Sequence, residues 1–298
     1  MGLPAPGMAG ERTWDGWRPA PGRVLVGVLR LTFRRWNHAT RPGDVALATS
    51  RLSNAGFVAA DEEATELVAC AADDPDLLEV LVARRLTGEP LAWITGGVSF
   101  CGVDIRVHPG VYVPRWQSEP LVRRALARLP PMGTAIDLCT GAGAVAKTLS
   151  TGRSDARVVA SEIDERAVAC ATANGVEVYQ GDLFAPLPAT FEGAVDVVVG
   201  IVPYVPTAAL GQLPRDTLAF ETHRPHDGGV DGTDILRQVL AQSPRFLKPG
   251  GALLLELGGD QVALLGEDLV RFGFDEVVVL ADDDGDARGI ETTWRGRA

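Results

Sequence analysis

A glycine-rich turn is the segment of this sequence best suited to binding a ligand. The eight residues that begin at Asp137 read Asp-Leu-Cys-Thr-Gly-Ala-Gly-Ala and follow a short apolar run. Gly141 and Gly143 let a ligand approach the backbone where a side chain would collide, and a following helix would present free N–H groups. Cys139 and Thr140 lie in the same turn. The turn therefore predicts a site for a nucleotide-like ligand.

Acidic residues close the next two strand candidates. Glu162, followed by Ile163, ends the second strand, and Asp182, followed by Leu183, ends the third. An acid about twenty residues after the turn can accept hydrogen bonds from both ribose hydroxyls. We expect Asp182 to meet the edge of an adenine ring, with Leu183 beside the ring. NAD would use similar features. Its binding pattern, Gly-x-Gly-x-x-Gly, has a third glycine where this chain has Ala146, and this difference is only a partial argument against NAD.

Alternating strands and helices must position these residues. Apolar runs of strand length fall at residues 135–138, 157–161, 177–180, 195–200, 252–257 and 276–281. Helical patterns separate the runs, which predicts a mostly parallel sheet covered by helices on both faces. Because ligands of such sheets bind at the carboxyl ends of the strands, we expect the turn and both acids to face one crevice.

The N-terminal part of the chain has a different pattern. Apolar residues recur at helical spacing over 44–86 and predict three or four helices, and alternating residues around Pro109-Gly110 predict a β-hairpin over 98–114. Residues 1–22 predict a flexible arm rather than a signal peptide, and residues 24–36 a short amphipathic helix. The expected units are an N-terminal extension (1–43), a helical substrate-recognition domain (44–95), a linking hairpin (96–114) and a catalytic domain (115–298).

Composition limits the classes of function. A formal net charge of -11 over 298 residues makes nucleic acid an unfavourable partner. The four cysteines are dispersed and lack zinc-ligand spacing, so we expect no metal and reduced thiols in the cytoplasm. The apolar runs are too short to span a bilayer, so no membrane partner is expected. The oligomeric state stays open.

From about Val45 onward, the chain resembles the HemK/PrmC-like protein-(glutamine-N5) methyltransferases that modify peptide-chain release factors. The resemblance rests on an ordered set of segments: 84–92, Phe100 with Gly102, 109–111, 113–115, 118–119, 227–229, 231–232, 247–251 and the strand that ends at Glu256. It implies a Rossmann-like class I methyltransferase domain, an α/β fold, after a small helical domain. It also implies S-adenosyl-L-methionine as the cofactor and S-adenosyl-L-homocysteine as its product.

The same resemblance implies roles for single residues. Asp137, Gly141 and Gly143 would hold the methionine part of the cofactor, and Glu162 the ribose. The pair formed by Asp182 and Leu183 would frame the adenine. Two further residues, Phe100 and Arg115, would lie near the cofactor and the acceptor.

The acceptor motif departs from the family pattern. Where the family has Asn-Pro-Pro-Tyr after the fourth strand, this chain has Ile201, Val202, Pro203 and Tyr204. In the family the Asn side chain would bond a planar –NH2 group, whereas Ile has no donor or acceptor. The Val202 carbonyl still offers one acceptor, and Tyr204 can pack beside the substrate. An amide that enters beside Ile201 leaves polar atoms unpaired, at about 1–3 kcal/mol each.

A second departure follows Glu221. His223 and His226 stand where the family carries Arg and an apolar residue. Histidines beside a methyl-acceptor pocket are candidate general bases near neutral pH, and the alternative is a structural or surface role.

Three functions remain open from the sequence. The chain methylates a nitrogen of a protein or peptide, with the helical domain as the recognition surface. Alternatively, it methylates a small molecule, such as a specialised metabolite, at nitrogen or oxygen. In the third hypothesis it binds the cofactor without catalysis.

Overall fold

Four helices form the N-terminal part of the described chain. The structure, a computed structural model, describes residues 41–213, 215–282 and 284–296. The helices are α1 (Pro42–Asn54), α2 (Ala60–Ala71), α3 (Pro75–Leu86) and α4 (Leu91–Thr95). They pack around one apolar cluster that includes Leu52, Leu67 and Leu81. The arm expected over 1–22 and the helix expected over 24–36 lie outside the described residues.

The hairpin that follows is shorter than the sequence predicts. Strand β1 (Gly97–Phe100) pairs antiparallel with β2 (Val103–Arg106). The turn lies at Cys101 and Gly102, with φ of 50° and 77°, because the tightest hairpin turns need positive φ at both residues. A turn does occur at Pro109-Gly110, where the Val111 N–H donates to the His108 carbonyl at 3.1 Å, but it lies beyond β2 and does not join the two strands. The segment after β2 instead packs against α4, where Trp93 Nε1 donates to the Val111 carbonyl at 2.9 Å.

A seven-stranded sheet forms the centre of the C-terminal part of the chain. Its strands are β3 (Thr134–Leu138), β4 (Arg157–Glu162), β5 (Val178–Gln180), β6 (Val195–Gly200), β7 (Leu247–Glu256), β8 (Phe274–Ala281) and β9 (Ala287–Trp294). Their order is β5-β4-β3-β6-β7-β9-β8. The first five are parallel, and β9 runs antiparallel to both of its neighbours. The predicted Rossmann-like α/β class is confirmed, although the apolar pattern of the sequence did not predict β9.

Helices cover both faces of the sheet. They are α5 (Glu119–Arg128), α6 (Ala144–Gly152), α7 (Glu165–Ala173), α8 (Arg215–Phe220), α9 (Asp234–Phe246), α10 (Gln261–Leu264) and α11 (Gly266–Arg271). Adjacent residues of β6 point to opposite faces. Val197 packs with α5, α6 and α7, and Val198 packs with α9 and α11. Each fully buried aliphatic side chain contributes about 1.5–3 kcal/mol, so two apolar cores hold the sheet in place.

The parallel strands leave their carboxyl ends at one edge. Because β3, β4, β6 and β7 run the same way, residues that follow them are brought together although they are far apart in sequence. Within the described ranges, no helix combines the length and apolar character needed to cross a bilayer.

Candidate active site

A cavity of about 580 Å³ lies at this edge of the sheet. Every predicted cofactor residue except Gly143 lines it: Phe100, Arg115, Asp137, Cys139, Thr140, Gly141, Glu162, Ile163, Asp182 and Leu183. The predicted acceptor residues Ile201, Val202, Pro203, Tyr204 and His226 line it as well. We call the first set the cofactor half of the site and the second set the acceptor half. The structure thus brings both halves together around one cavity.

The turn after β3 has left-handed backbone at three positions. The φ angles are 56° at Cys139, 56° at Gly141 and 83° at Gly143. A Cβ on Gly143 would lie 2.8 Å from Cγ2 of Val176, so this glycine serves close packing where α6 begins. A Cβ on Gly141 would meet nothing within 4 Å. Gly141 is therefore the glycine that leaves room for a ligand.

Asp137 is a buried carboxyl beneath this turn. Its Oδ2 accepts hydrogen bonds from Thr140 Oγ1 at 2.5 Å and from the Ala146 N–H at 3.0 Å. Burial raises the pKa of Asp137 to about 7, with a smaller contribution from the charge of Glu162, while the two hydrogen bonds oppose the shift. Such a carboxyl suits a cationic ligand group. No cluster of possible metal ligands occurs within the described part of the chain.

Glu162, the last residue of β4, organises the neighbouring backbone. Its Oε1 accepts from the N–H groups of Ile163 and Asp164 at 2.8 and 2.9 Å, and its Oε2 accepts from Gly141 N–H at 2.9 Å. A carboxylate has about four acceptor positions, so about one remains for a ligand hydroxyl.

The far end of the cofactor half combines apolar and acidic side chains. Leu183 is buried with φ of 45°, and the neighbouring Asp182 is exposed. Ile163 is 40% exposed on the cavity side of β4, and Phe100 is buried at the end of β1. This half therefore offers apolar surface with one carboxylate at its rim.

The acceptor motif continues directly from β6. Ile201 is half-buried against the core on the α5 side of the sheet. Tyr204 Oη donates to Glu256 Oε1 at 2.9 Å, and Gln261 Nε2 donates to the Tyr204 carbonyl at 2.7 Å. Among the described residues, no loop or turn hydrogen bond uses the Val202 carbonyl. One backbone acceptor thus remains available beside the cavity.

A buried polar network borders the acceptor half. The carboxylate of Glu221 accepts from Arg115 Nη2 at 2.8 Å and lies 2.9 Å from His226 Nε2. The Tyr112 ring contacts the His226 ring at 5.5 Å between centroids, and the Arg115 guanidinium lies 5.3 Å from the Tyr112 centroid. His226 lines the cavity. Glu221 is buried and does not line the cavity, and His223 is exposed to solvent and does not line it either. The structure therefore unites Glu221 and His226 and leaves His223 outside.

Several lining residues were not among the predicted site residues, and the polar ones include Tyr112, Glu256 and Arg288. Burial raises the pKa of Tyr112 to about 12 and also raises the pKa of Glu256. Glu256 closes β7 as Glu162 closes β4, so the strand-end rule was a signal that pointed to it. Arg288 lies in β9, and no sequence signal singled it out.

Comparisons with known proteins agree with this geometry. The catalytic domain of hMettl16, solved with MAT2A 3'UTR hairpin 6, has the same fold: its TM-score is 0.50, with 14% identity, over 73% of this chain and 82% of that chain. The release factor glutamine methyltransferase of Geobacter sulfurreducens is 36% identical over 211 residues, 69% of this chain and 73% of the relative. The 4-amino-L-phenylalanine/4-methylamino-L-phenylalanine methyltransferase of Streptomyces pristinaespiralis is 34% identical over 242 residues, 72% of this chain and 82% of the relative.

Fold, cavity and relatives together define an S-adenosylmethionine-dependent methyltransferase of the Rossmann-like class. No protein-family model matches the chain. The similarity to curated relatives is nevertheless long enough to assign a family, because several exceed 30% identity over more than two thirds of their length. The chain belongs to the release factor glutamine methyltransferase family. The cofactor and the family expected from the sequence are confirmed.

Proposed function

We propose that this chain transfers the cofactor's methyl group to a nitrogen of a protein or peptide acceptor that enters beside Val202. The observation that carries this proposal is the Val202 carbonyl, which follows β6 on the cavity wall next to Tyr204 and bonds no other backbone group among the described residues. A carbonyl oxygen there can accept an N–H bond and so orient the acceptor nitrogen. The curated relatives named release factor glutamine methyltransferase support a protein acceptor.

The residues of the cofactor half fit S-adenosylmethionine. Open space above Gly141 admits the ligand, and the remaining acceptor position of Glu162 suits a ribose hydroxyl. The Asp137 carboxyl would hold the cationic amino group of the methionine part, and Leu183 would cover the adenine. When bound, the cofactor supplies a methyl group already activated by the positive charge on sulfur.

The protein's contribution is alignment and exclusion of water. Methyl transfer from sulfur is a displacement that needs the acceptor nitrogen in line with the methyl group. The Val202 carbonyl and the Tyr204 ring would hold the nitrogen, and Tyr204 is itself held by Glu256 and Gln261. His226, oriented by Glu221, would accept a proton from the acceptor.

A small arylamine is the second candidate acceptor. Ile201 removes the side-chain amide that would pair with a glutamine carboxamide, whereas an aromatic amine has no carbonyl that needs this partner. The Streptomyces pristinaespiralis relative is named for aromatic amine substrates of this kind. An apolar residue at position 201 therefore favours an acceptor with an NH2 group on a flat ring.

The reaction is proposed to take place in the cytoplasm on an acceptor other than nucleic acid. Cys101, Cys139 and Cys170 form no disulfide bond with any described residue, which suits a reducing compartment. The net charge of -11 opposes binding to a phosphate backbone.

The decisive experiment supplies radiolabelled S-adenosylmethionine with three acceptor pools: a cell lysate, a glutamine-containing peptide and 4-amino-L-phenylalanine. Label in protein or peptide, assigned to nitrogen by mass spectrometry, is the expected result. Label confined to 4-amino-L-phenylalanine would replace the first candidate with the second. A Gly141→Val variant, whose side chain fills the space for the cofactor, must lose the label. Binding of S-adenosylhomocysteine without any label would support a non-catalytic binder and refute both candidates.

A further inference from the structure

Glu256 is a buried carboxylate with one oxygen unused. It is the last residue of β7, is only 7% exposed and lines the cavity. Oε1 accepts the Tyr204 hydroxyl, whereas Oε2 is buried and has no hydrogen-bond partner among the described residues. Burial raises the pKa of Glu256 and outweighs the opposing effects of the Ser118 and Tyr204 hydroxyls and of the Arg288 charge. Arg288 is engaged elsewhere, since Asp282 accepts from its Nε at 2.7 Å.

The sheet register puts this carboxylate beside the altered motif position. Gly200 of β6 pairs with Leu255 of β7, so the next residues, Ile201 and Glu256, are neighbours at the carboxyl edge. In parallel strands, residues at the same register point to the same face. Ile201 itself offers no polar atom. At this level of the sheet, Ile201 after β6 has no side-chain hydrogen-bonding group. Glu256, at the end of β7, provides one.

Two acceptors at this position match a group with two N–H bonds. In its ionised form the Glu256 carboxylate only accepts hydrogen bonds, as the Val202 carbonyl does, so both of them then require donors. An –NH2 group can donate one bond to each of them, whereas a hydroxyl has a single hydrogen to donate. A buried acceptor left unpaired loses its hydration without compensation.

We propose that Glu256 accepts one N–H bond of a primary-nitrogen acceptor, with the Val202 carbonyl accepting the other. The site thereby selects a primary amine or amide over a hydroxyl. This inference rests on the proposed transfer to nitrogen and adds the residue that recognises it.

The test compares each NH2 compound with its methyl isostere. The probe pairs are 4-amino-L-phenylalanine with 4-methyl-L-phenylalanine, and a glutamine peptide with the same peptide carrying 5-oxonorleucine. Binding is measured by calorimetry on the full chain saturated with S-adenosylhomocysteine. Because a lost hydrogen bond leaves buried groups unpaired, the wild type is expected to prefer at least one NH2 compound by about tenfold or more.

Glu256→Gln should abolish this preference, bringing the ratio close to one. The Gln amide oxygen would keep the hydrogen bond from Tyr204 Oη, so the amide NH2 group would take the place of Oε2. That NH2 group would then face the N–H of the substrate, and two donors cannot form a hydrogen bond with each other. Glu192→Gln, at a surface ion pair with Arg245, is the matched control and should keep the wild-type ratio. The affinity of both variants for S-adenosylhomocysteine should stay within about twofold, which separates acceptor recognition from cofactor binding.

Each other outcome overturns a defined claim. A wild-type preference that persists in Glu256→Gln refutes the role of Glu256 alone. A wild type that methylates neither NH2 compound and no lysate protein refutes the proposed function, and this inference with it. If Glu256→Gln does not fold, Glu256→Asp is assayed in its place. Its carboxylate is withdrawn by one methylene, so a retained preference again refutes the role.

Discussion

Substitution of Glu162 by Gln tests the cofactor half most directly. The carboxylate accepts three backbone N–H groups, from Gly141, Ile163 and Asp164, at 2.8–2.9 Å. These bonds hold the glycine turn against the end of β4, and about one acceptor position remains for a ribose hydroxyl. A Gln amide has only one oxygen, so at least one backbone N–H would then face an NH2 group.

The expected loss can be worked out from this geometry. A hydrogen bond to a charged acceptor contributes about 1.5–3 kcal/mol, and each 1.4 kcal/mol is a factor of ten in affinity. Loss of the ribose bond alone therefore weakens binding of S-adenosylhomocysteine by about 10- to 150-fold. The lost backbone contacts should also lower the free energy of unfolding by about 1–3 kcal/mol.

The assay is calorimetric titration with S-adenosylhomocysteine and with its 2′-deoxy analogue. The wild type should bind the deoxy analogue more weakly, whereas Glu162→Gln should bind both ligands alike, because its ribose contact is already lost. Glu165→Gln, an exposed carboxylate three residues further on, is the control and should behave as wild type. An affinity within threefold of wild type for Glu162→Gln would refute the assignment of the ribose to this residue.

Three further substitutions probe the rest of the cavity. Ile201→Asn restores an amide partner worth about 1–3 kcal/mol and should raise methylation of a glutamine peptide about 5- to 150-fold by mass spectrometry; no gain would mean that the pocket differs more widely. His226→Leu leaves Glu221 with one partner fewer and should lower stability to urea by about 1–3 kcal/mol and lower kcat more than KM; an unchanged kcat would exclude a base role. Because the pKa of Asp137 is about 7 in the folded protein and 3.8 for an ordinary aspartate, the stability that its protonated form provides falls as pH rises from about 4 through 7. Asp137→Asn should flatten this part of the profile in urea unfolding, and parallel profiles would contradict the shift.

Much of the cofactor half could be predicted because its signals are local. A glycine turn and two strand-end acids lie within short segments, and the parallel-sheet rule brings the ends of those segments together. Gly143 illustrates the limit of this reasoning. A glycine in the sequence does not say whether its missing side chain makes room for a ligand or for Val176, and the structure assigns it to packing.

The features that escaped prediction depend on tertiary contacts. Strand β9 contains Gly289 and several polar residues and lacks a strand-length apolar run, yet it is extended because β7 and β8 pair with it on either side. The two histidines are alike in type and only three residues apart. The two histidines are joined by a turn in which the His226 N–H donates to the His223 carbonyl at 3.0 Å. His226 lines the cavity, whereas His223 is exposed to solvent.

The distribution of backbone strain bears on whether the chain catalyses or merely binds. Six described residues adopt positive φ without being glycine, and Cys139 and Leu183 are the two of them that line the cavity. Such a conformation costs about 1–3 kcal/mol and persists where the surroundings enforce it. Both residues lie in the cofactor half, where Glu162 and Asp137 accept hydrogen bonds from backbone N–H groups of the glycine turn and of the start of α6. The departures from the family pattern lie instead in the acceptor segments, at Ile201 and Val202 and at His223 and His226. The cofactor half therefore keeps the residues that the family pattern implies, whereas the acceptor half does not. The division therefore argues for retained methyl transfer to an altered acceptor, with the side-by-side pair of Ile201 and Glu256 as the point where the acceptor is chosen.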